Sequence, residues 1–500
     1  MALISVKSCF RSTWLLTVLS ICFLCSAFLT IKSNINRGSS SFSHQHSLKA
    51  IEMLSNSATT HEAVVKKVQI FNHQTIGFTS LSKQKSINQQ QPSLQLEKSI
   101  SQRHPPYNIF QFLYKDKTTL VYSAHYDNRD SAVKVVGFKH RFNISRYEQE
   151  VFCLFPDGEL SEMTTLYNVS VMKPRPGLEY NTWIWQCDWK GKPPPSHLSL
   201  VTRSLDILVN RINITYHTFS DGAEKKRQPV ICVKPMVKNY DDKYQLKEFI
   251  ESSRMWGASK IVLYPHSVDE DLIRPLLNEY EAEGLVDVHE WKPRVPMESL
   301  HAFGQKSHNQ HCLYTYMYRY EWAAFIDLDE LVVAGANLTS MESMIQAGLL
   351  TIKDQNIQAR VAGFTVRSQM CTTSLADDLL YKASGNTLCR ITSMRKTNCT
   401  PAMLPGVWSK PLVNTEGTEI VDIHQIRLPR PSYTVIDLDP TIGTVCHYRA
   451  LSRNSGVLAQ SAKYNVLKRN THKFMDKAAK QMKDICGYDN PHIGVTKYAD

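Results

Sequence analysis

Two phosphate-binding signatures are missing from this sequence. No G-x-x-x-x-G-K-[ST] occurs, which removes P-loop chemistry, and no G-x-G-x-x-G opens the strand-helix turn VKPMVKNYDD, which disfavours a dinucleotide oxidoreductase. Glycine is scarce, 20 of 500 residues against 22 prolines, so collagen-like and Pro/Gly-rich fibres are excluded. With 42% hydrophobic and 21% charged residues, the chain is not mostly disordered either. An acidic excess is also absent. The formal net charge is +12 and the pI about 9.0, a balance that permits an anionic partner without choosing one.

One long apolar run is present, Trp14 to Ile31 (WLLTVLSICFLCSAFLTI), with Lys7 and Arg11 before it and Lys32 and Arg37 after it. As a helix it rises about 27 Å, just enough to cross a bilayer. Cys25 and Ala27 resemble a signal-peptidase site, but apolar residues continue through Ile31, which favours an uncleaved signal anchor. Either way the remainder enters the secretory lumen. Sequons at Asn143, Asn168, Asn213, Asn337 and Asn398 agree with that compartment. Nine cysteines lie beyond the run: Cys153, Cys187, Cys232, Cys312, Cys371, Cys389, Cys399, Cys446 and Cys486. None forms a C-x-x-C pair with another, so scattered disulfides fit better than zinc. Their odd number leaves at least one free or bonded to another chain.

The chain thus divides into a cytoplasmic tail (1–13), an anchor (14–31) and a Ser/Gln/Asn-rich luminal stem (32–105). Short β-favouring runs such as TTLVYSAHYD, SAVKVVGF and TWIWQC then predict a β-rich, sandwich-like module over 106–219. Trp183, Trp185 and Trp189 there read either as core and rim aromatics or as a carbohydrate-stacking surface. A basic linker (SDGAEKKRQ) precedes an α/β domain over 229–495.

In that domain PVICVKPM reads as a buried strand, followed by a helix with Leu246, Phe249 and Ile250 inward and Gly257 at its end. KIVLY is a second strand. Ser267 and Glu270 predict a capping box for a helix facing in through Ile273, Leu276, Leu277 and Tyr280. A third strand spans 285–290, a longer helix about 297–318, and WAAFI is a fourth strand. Such alternation requires a parallel, Rossmann-like sheet.

The fourth strand runs into Asp327-Leu328-Asp329-Glu330. Ligands of open α/β sheets bind at the carboxyl ends of strands. Two carboxylates at i and i+2 there can hold Mn²⁺ or Mg²⁺ through oxygen and bridge it to a diphosphate. A phosphatase of the haloacid-dehalogenase type would carry its DxD on the first strand, with Thr or Val where this chain has Leu331. The second such triplet, Asp437-Leu438-Asp439, is cut short by Pro440, lacks a preceding strand-helix array and reads as loop acids.

Several segments together resemble glycosyltransferase family 92. These are VICVKPM, GASKIVLY, the series Tyr280, Gly284, Trp291 and Pro293, then Gln305, Asn309 and Cys312 ahead of WAAFIDLDE, and HYR at 447–449. YSAHYDNR and VFCLFPDG upstream extend the resemblance from Tyr107 to Tyr488. It implies a GT-A fold, a UDP-sugar donor (UDP-galactose where known), a divalent metal, inversion, and a type II Golgi membrane protein. It further implies β-1,4 transfer to fucose or galactose of a glycan on a glycoprotein, the N-glycan core foremost, with no nucleic-acid partner. By the same resemblance, His447 would complete the metal shell with Asp327 and Asp329, His424 being the alternative. Arg449 would contact phosphate oxygens. Inversion needs a carboxylate base. Asp377, Asp378 and Glu416 lie in the region expected on the acceptor side, and the sequence selects none of them. The competing reading is a non-catalytic luminal glycan-binding glycoprotein.

Overall fold

The computed structural model describes residues 110–142, 150–168, 177–191, 194–216, 224–335, 337–354, 360–374, 391–396 and 399–450. The expected anchor and stem, Asn143, Asn398, Asp377, Asp378, Cys389 and Cys486 lie outside the described residues. Among the described residues, no helix is long and apolar enough to cross a membrane.

The first part is all strand: β1 (Gln111–Phe112), β2 (Thr119–Asp127), β3 (Ala132–His140), β4 (Val151–Leu154), β5 (Leu160–Glu162), β6 (Thr164–Asn168), β7 (Tyr180–Asp188), β8 (His197–Thr202) and β9 (Ile207–Thr215). They form a single nine-stranded sheet in the order β5-β4-β8-β9-β2-β3-β7-β6, with β1 alongside β2. β4 and β7 stand five places apart, which in a flat sheet would be about 24 Å. Yet a disulfide joins Cys153 to Cys187 with their Cα atoms 6.3 Å apart. The sheet therefore curls back on itself around Ala124, Val133, Val135, Trp185, Leu198 and Leu200. Trp185 and Trp189 are buried in that core, and Trp183 stacks on Trp185 beneath the Lys139 ammonium. These indoles serve packing.

The opposite face of β2, β3 and β7 is also covered. Leu120 and Tyr122, with Val136, Phe138 and Ile184, enter a second core, while a β-bulge between Val121 and Ser123 shifts the phase so that Val121 and Ala124 both face the first. That core is shared with the α/β part. Trp291 meets Phe110 and Tyr122 edge-on, with ring centroids 5.1 and 4.9 Å away.

The α/β part contains β10 (Val230–Val233), α1 (Lys243–Met255), β11 (Lys260–Leu263), α2 (Arg274–Ala282), β12 (Val286–Val288), α3 (Gln305–Tyr316) and β13 (Trp322–Ile326). Its four strands pair in parallel as β12-β11-β10-β13. The order reverses between β10 and β13, the place where such sheets bind ligands. Beyond β13 come β14 (Glu330–Ala334), α4 (Met341–Asp354), β15 (Arg360–Val366), β16 (Ser368–Thr372), α5 (Thr392–Arg395), β17 (Lys410–Asn414), β18 (Thr418–Val421), β19 (Ile426–Pro429), β20 (Tyr433–Asp437) and β21 (Gly443–Arg449). β17, β15 and β20 extend the main sheet, while β14, β21 and β16 form a small one beside it.

Two helix expectations are corrected. Ser267 and Glu270 make no capping box: α2 starts only at Arg274, and Asp269 Oδ1 instead holds the Asp271 and Leu272 N–H groups of a preceding turn. The helix expected over 297–318 is shorter, because Ala302, Phe303 and Gly304 are all left-handed and α3 begins after them. Nearly all of α3 is buried although its sequence, QKSHNQHCLYTY, is polar. Many of its polar groups find partners, though the His308 ring nitrogens and Asn309 Oδ1 do not. Ser307 bonds Thr182, Lys306 pairs with Asp422, Gln310 donates to the Val421 carbonyl, His311 meets Tyr264 and Tyr314 donates to the Glu419 carbonyl. Cys312 is tied to Cys232 of β10, Cys371 to Cys399, and among the described residues Cys446 is a free, buried thiol.

Candidate active site

β13 is apolar and buried throughout, so the first place the chain can present charge is its carboxyl end, Asp327 to Glu330. There it faces Lys234, which follows β10 across the switch point. The Lys234 Nζ lies 3.2 Å from Asp327 Oδ2 and 3.6 Å from Asp329 Oδ1. Lys410, the first residue of β17, is buried; its Nζ is 3.2 Å from Asp327 Oδ2 and 2.8 Å from Glu330 Oε2. Gln305, at the start of α3, donates from Nε2 to Asp327 Oδ1 at 2.9 Å. The sequence brought Gln305 forward only through resemblance and missed Lys234, Lys410 and Glu330 as site residues. The available signal was a lysine bordering each of two buried runs, last in VICVK and first in KPLVN.

His447 arrives on β21, whose antiparallel register sets it opposite Glu330. Its Nε2 lies 3.2 Å from Asp329 Oδ2 and its Nδ1 3.4 Å from Glu330 Oε1. The Tyr448 N–H donates to the Asp329 carbonyl at 2.7 Å, locking the two strands at this point. The three acids do not titrate alike. Burial works to raise all of them, but Lys410 and Lys234 hold the Asp327 carboxyl well below the usual range. The His447 hydrogen bond and the Lys234 charge likewise lower Asp329. For Glu330 burial prevails and its pKa is raised.

The side chains of Asp329 and His447 fit a shared cation. His447 Nε2 and Asp329 Oδ2, 3.2 Å apart, face one another, and Asp329 Oδ1, beside Lys234, accepts no hydrogen bond, while His447 Nδ1 is turned toward Glu330. One carboxylate oxygen and one imidazole nitrogen form a mixed donor pair that a divalent ion such as Mn²⁺ accepts. Asp327 is turned away from this pair, its Oδ1 taken by Gln305 and its Oδ2 by the two lysines. Among the described residues, the tighter donor groups are Cys371, Cys399 and Cys446, and Asp127, Asp130 and Glu419. The first includes a disulfide, and the second is already neutralised by Arg129, Lys134 and Arg430.

The remaining expected residues are distributed as follows. Arg449 is exposed at the end of β21 and lines, with Asp329, Tyr448 and Gln245, a cavity of about 330 Å³. His424 lies beside the site but gives its Nδ1 to the Ser409 carbonyl at 3.1 Å, so the structure pairs Asp329 with His447 instead. Glu416 is corrected as a base candidate. β17 runs antiparallel to β13, which carries Glu416 to the far end of the strand from Asp327, where Lys225 pairs with it. Asp437 is not a loop acid but the last residue of β20, where it pairs with Arg367; Asp439 lies beyond the strand and accepts from the Thr441 N–H and hydroxyl. Of the described sequons, Asn168 and Asn337 are exposed, while Asn213 is half-buried and accepts from Arg211 Nε at 3.3 Å.

A mycobacterial protein of known structure is 13% identical to the chain, covering 53% of it and 76% of itself at a TM-score of 0.23. Glucosyl-3-phosphoglycerate synthase from Mycobacterium tuberculosis, in complex with Mn²⁺, UDP and glucosyl-3-phosphoglycerate, is 12% identical over 53% of this chain and 82% of its own, with a TM-score of 0.22. The same enzyme with Mg²⁺ and UDP gives 12%, 53%, 81% and 0.22. Likenesses at these TM-scores carry no weight for the site. No curated protein matches the chain in sequence. The sequence profile of glycosyltransferase family 92 does match, over residues 227–487, a span that begins just before β10 and takes in Lys234, Gln305, the DLDE segment, Lys410 and HYR. With more than half of the chain inside that match, the protein belongs to glycosyltransferase family 92.

Proposed function

We propose that this glycosyltransferase is metal-dependent, inverting and of GT-A type. It would transfer a hexose, galactose from UDP-galactose, in β-1,4 linkage to fucose or galactose of a glycan on a glycoprotein. The observation that carries the reading is the Asp329 carboxylate set against His447 Nε2 at the switch point of the sheet, with its Oδ1 accepting no hydrogen bond. Asp329 and His447 would hold Mn²⁺ or Mg²⁺, which when bound supplies Lewis-acid stabilisation of the diphosphate leaving group. Lys234, partly exposed between the two aspartates, adds a positive charge where the leaving group gains negative charge. Asp327, fixed by Gln305, Lys234 and Lys410, positions Lys234 beside the leaving group. Arg449, at the rim of the cavity, is placed to donate to phosphate oxygens.

The donor and linkage rest on the family resemblance, and the apolar run at 14–31 with the exposed sequons supports a type II Golgi membrane protein with its catalytic part in the lumen. The test is to incubate the luminal part with Mn²⁺ and either UDP-galactose or UDP-glucose against fucose- and galactose-terminated acceptors, then digest the product with β-galactosidase. Transfer from UDP-galactose to a β-galactosidase-sensitive product is expected. A resistant product or another preferred donor overturns the galactosyl assignment.

A further inference from the structure

The segment between Cys399 and Lys410 contains no charged residue, and it ends against the site through Lys410. Three large apolar side chains in it face solvent: Leu404 is 73% exposed, Val407 45% and Trp408 36%. Exposed apolar residues scattered singly need no explanation, but three within five positions beside a polar site do. Trp408 has a left-handed backbone, φ +52°, a conformation that costs a bulky residue energy and gathers at ligand clamps. The fold holds it there. Its carbonyl accepts from Ser368 Oγ at 2.6 Å, the Met403 N–H donates to the Ser368 carbonyl, and the Gly406 N–H donates to Ser409 Oγ. The outcome is an indole whose centroid lies 6.4 Å from the His447 ring, at 75° to it.

From this geometry we infer that Trp408, flanked by Leu404 and Val407, is the platform on which a neutral sugar ring of the acceptor stacks. The electron-rich face of an indole disfavours anions, so the phosphates of a nucleotide sugar are poor occupants. The C–H face of a pyranose is neutral and apolar, and its hydroxyl edge can reach toward His447 and Asp329. The inference rests on the glycosyltransferase reading above and adds to it the acceptor subsite. Trp408 is therefore a binding residue that acts on acceptor affinity and orientation, with the metal and donor groups left intact.

The test compares wild type, Trp408→Phe and Trp408→Ala in the luminal part of the chain. KM for a galactose- or fucose-terminated oligosaccharide and KM for the UDP-sugar are measured separately, and oligosaccharide binding is measured by calorimetry without donor. Trp408→Ala should raise acceptor KM about tenfold or more, leave donor KM unchanged, and weaken calorimetric binding in parallel. Trp408→Phe should lie much closer to wild type. Trp408 is only 36% exposed, so thermal melting of Trp408→Ala is recorded alongside, and the result is read from the acceptor-to-donor KM ratio, which a general loss of fold does not shift. Wild-type transfer with acceptor KM unchanged in Trp408→Ala overturns the platform alone. Trp408-dependent oligosaccharide binding without any UDP release supports the platform and overturns the transfer reading.

Discussion

Lys410 is the most costly side chain at the site: an ammonium group buried beside Asp327 and Glu330 at the start of β17. Ion pairs taken out of water stabilise little in net terms, but removing one partner strands the other. Lys410→Met should therefore lower unfolding free energy by about 3 kcal/mol or more, read by urea denaturation. A loss under about 1 kcal/mol would mean that Glu330 simply takes up a proton at no cost. At this scale the sequence was partly legible. Asp327 and Asp329 declared themselves because carboxylates at the end of an apolar strand have a physical meaning, and His447 because resemblance carried it. Lys410 and Glu330 did not. Each reads as an ordinary surface charge until β17 is placed against β13 and β21 against β14, and those pairings span more than eighty residues of chain.

Among the elements, β10, β11, β13 and α1 were legible from apolar runs, periodicity and stop signals. Local patterns failed at α3. A helix buried on all sides by hydrogen-bonding polar groups has no apolar stripe to detect, and its start depends on three left-handed residues of which only Gly304 is a glycine. A Cβ on Gly304, at φ +80°, would stand 2.9 Å from Trp291 and 3.0 Å from Phe138. Gly304→Ala should cost about 1–3 kcal/mol and also lower turnover, because Gln305, the next residue, orients Asp327. A stability loss with unchanged kinetics would separate α3's entry from the site. The curled β sheet was legible strand by strand, while its closure was hidden in the pairing of Cys153 with Cys187, which spacing alone does not select.

For the whole molecule, the β sheet and the α/β part share one core and an ionic network in which Arg129 and Lys134 meet Glu419, and Arg430 meets Asp130. At their junction lie buried histidines. Burial lowers the pKa of His289 to about 4 and that of His308 to about 3. The unfolded chain binds protons at these positions below about pH 6.5 while the folded one resists, so their contribution to stability falls as pH drops toward 4. His289→Gln, which keeps a polar group near the Tyr316 hydroxyl, should flatten this slope by about 1.4 kcal/mol per pH unit between pH 6 and 4.5. An unchanged slope would show that His289 is hydrated in the folded protein. The central claim, that Asp329 and His447 form the metal-diphosphate centre of a glycosyltransferase, is tested most directly by calorimetric titration of UDP in the presence and absence of Mn²⁺. Wild type and Glu416→Ala should bind UDP far more tightly with Mn²⁺. Asp329→Ala should melt normally, lose that Mn²⁺ dependence, and turn over at least about a hundredfold more slowly. Mn²⁺-dependent UDP binding that survives in Asp329→Ala would contradict the account.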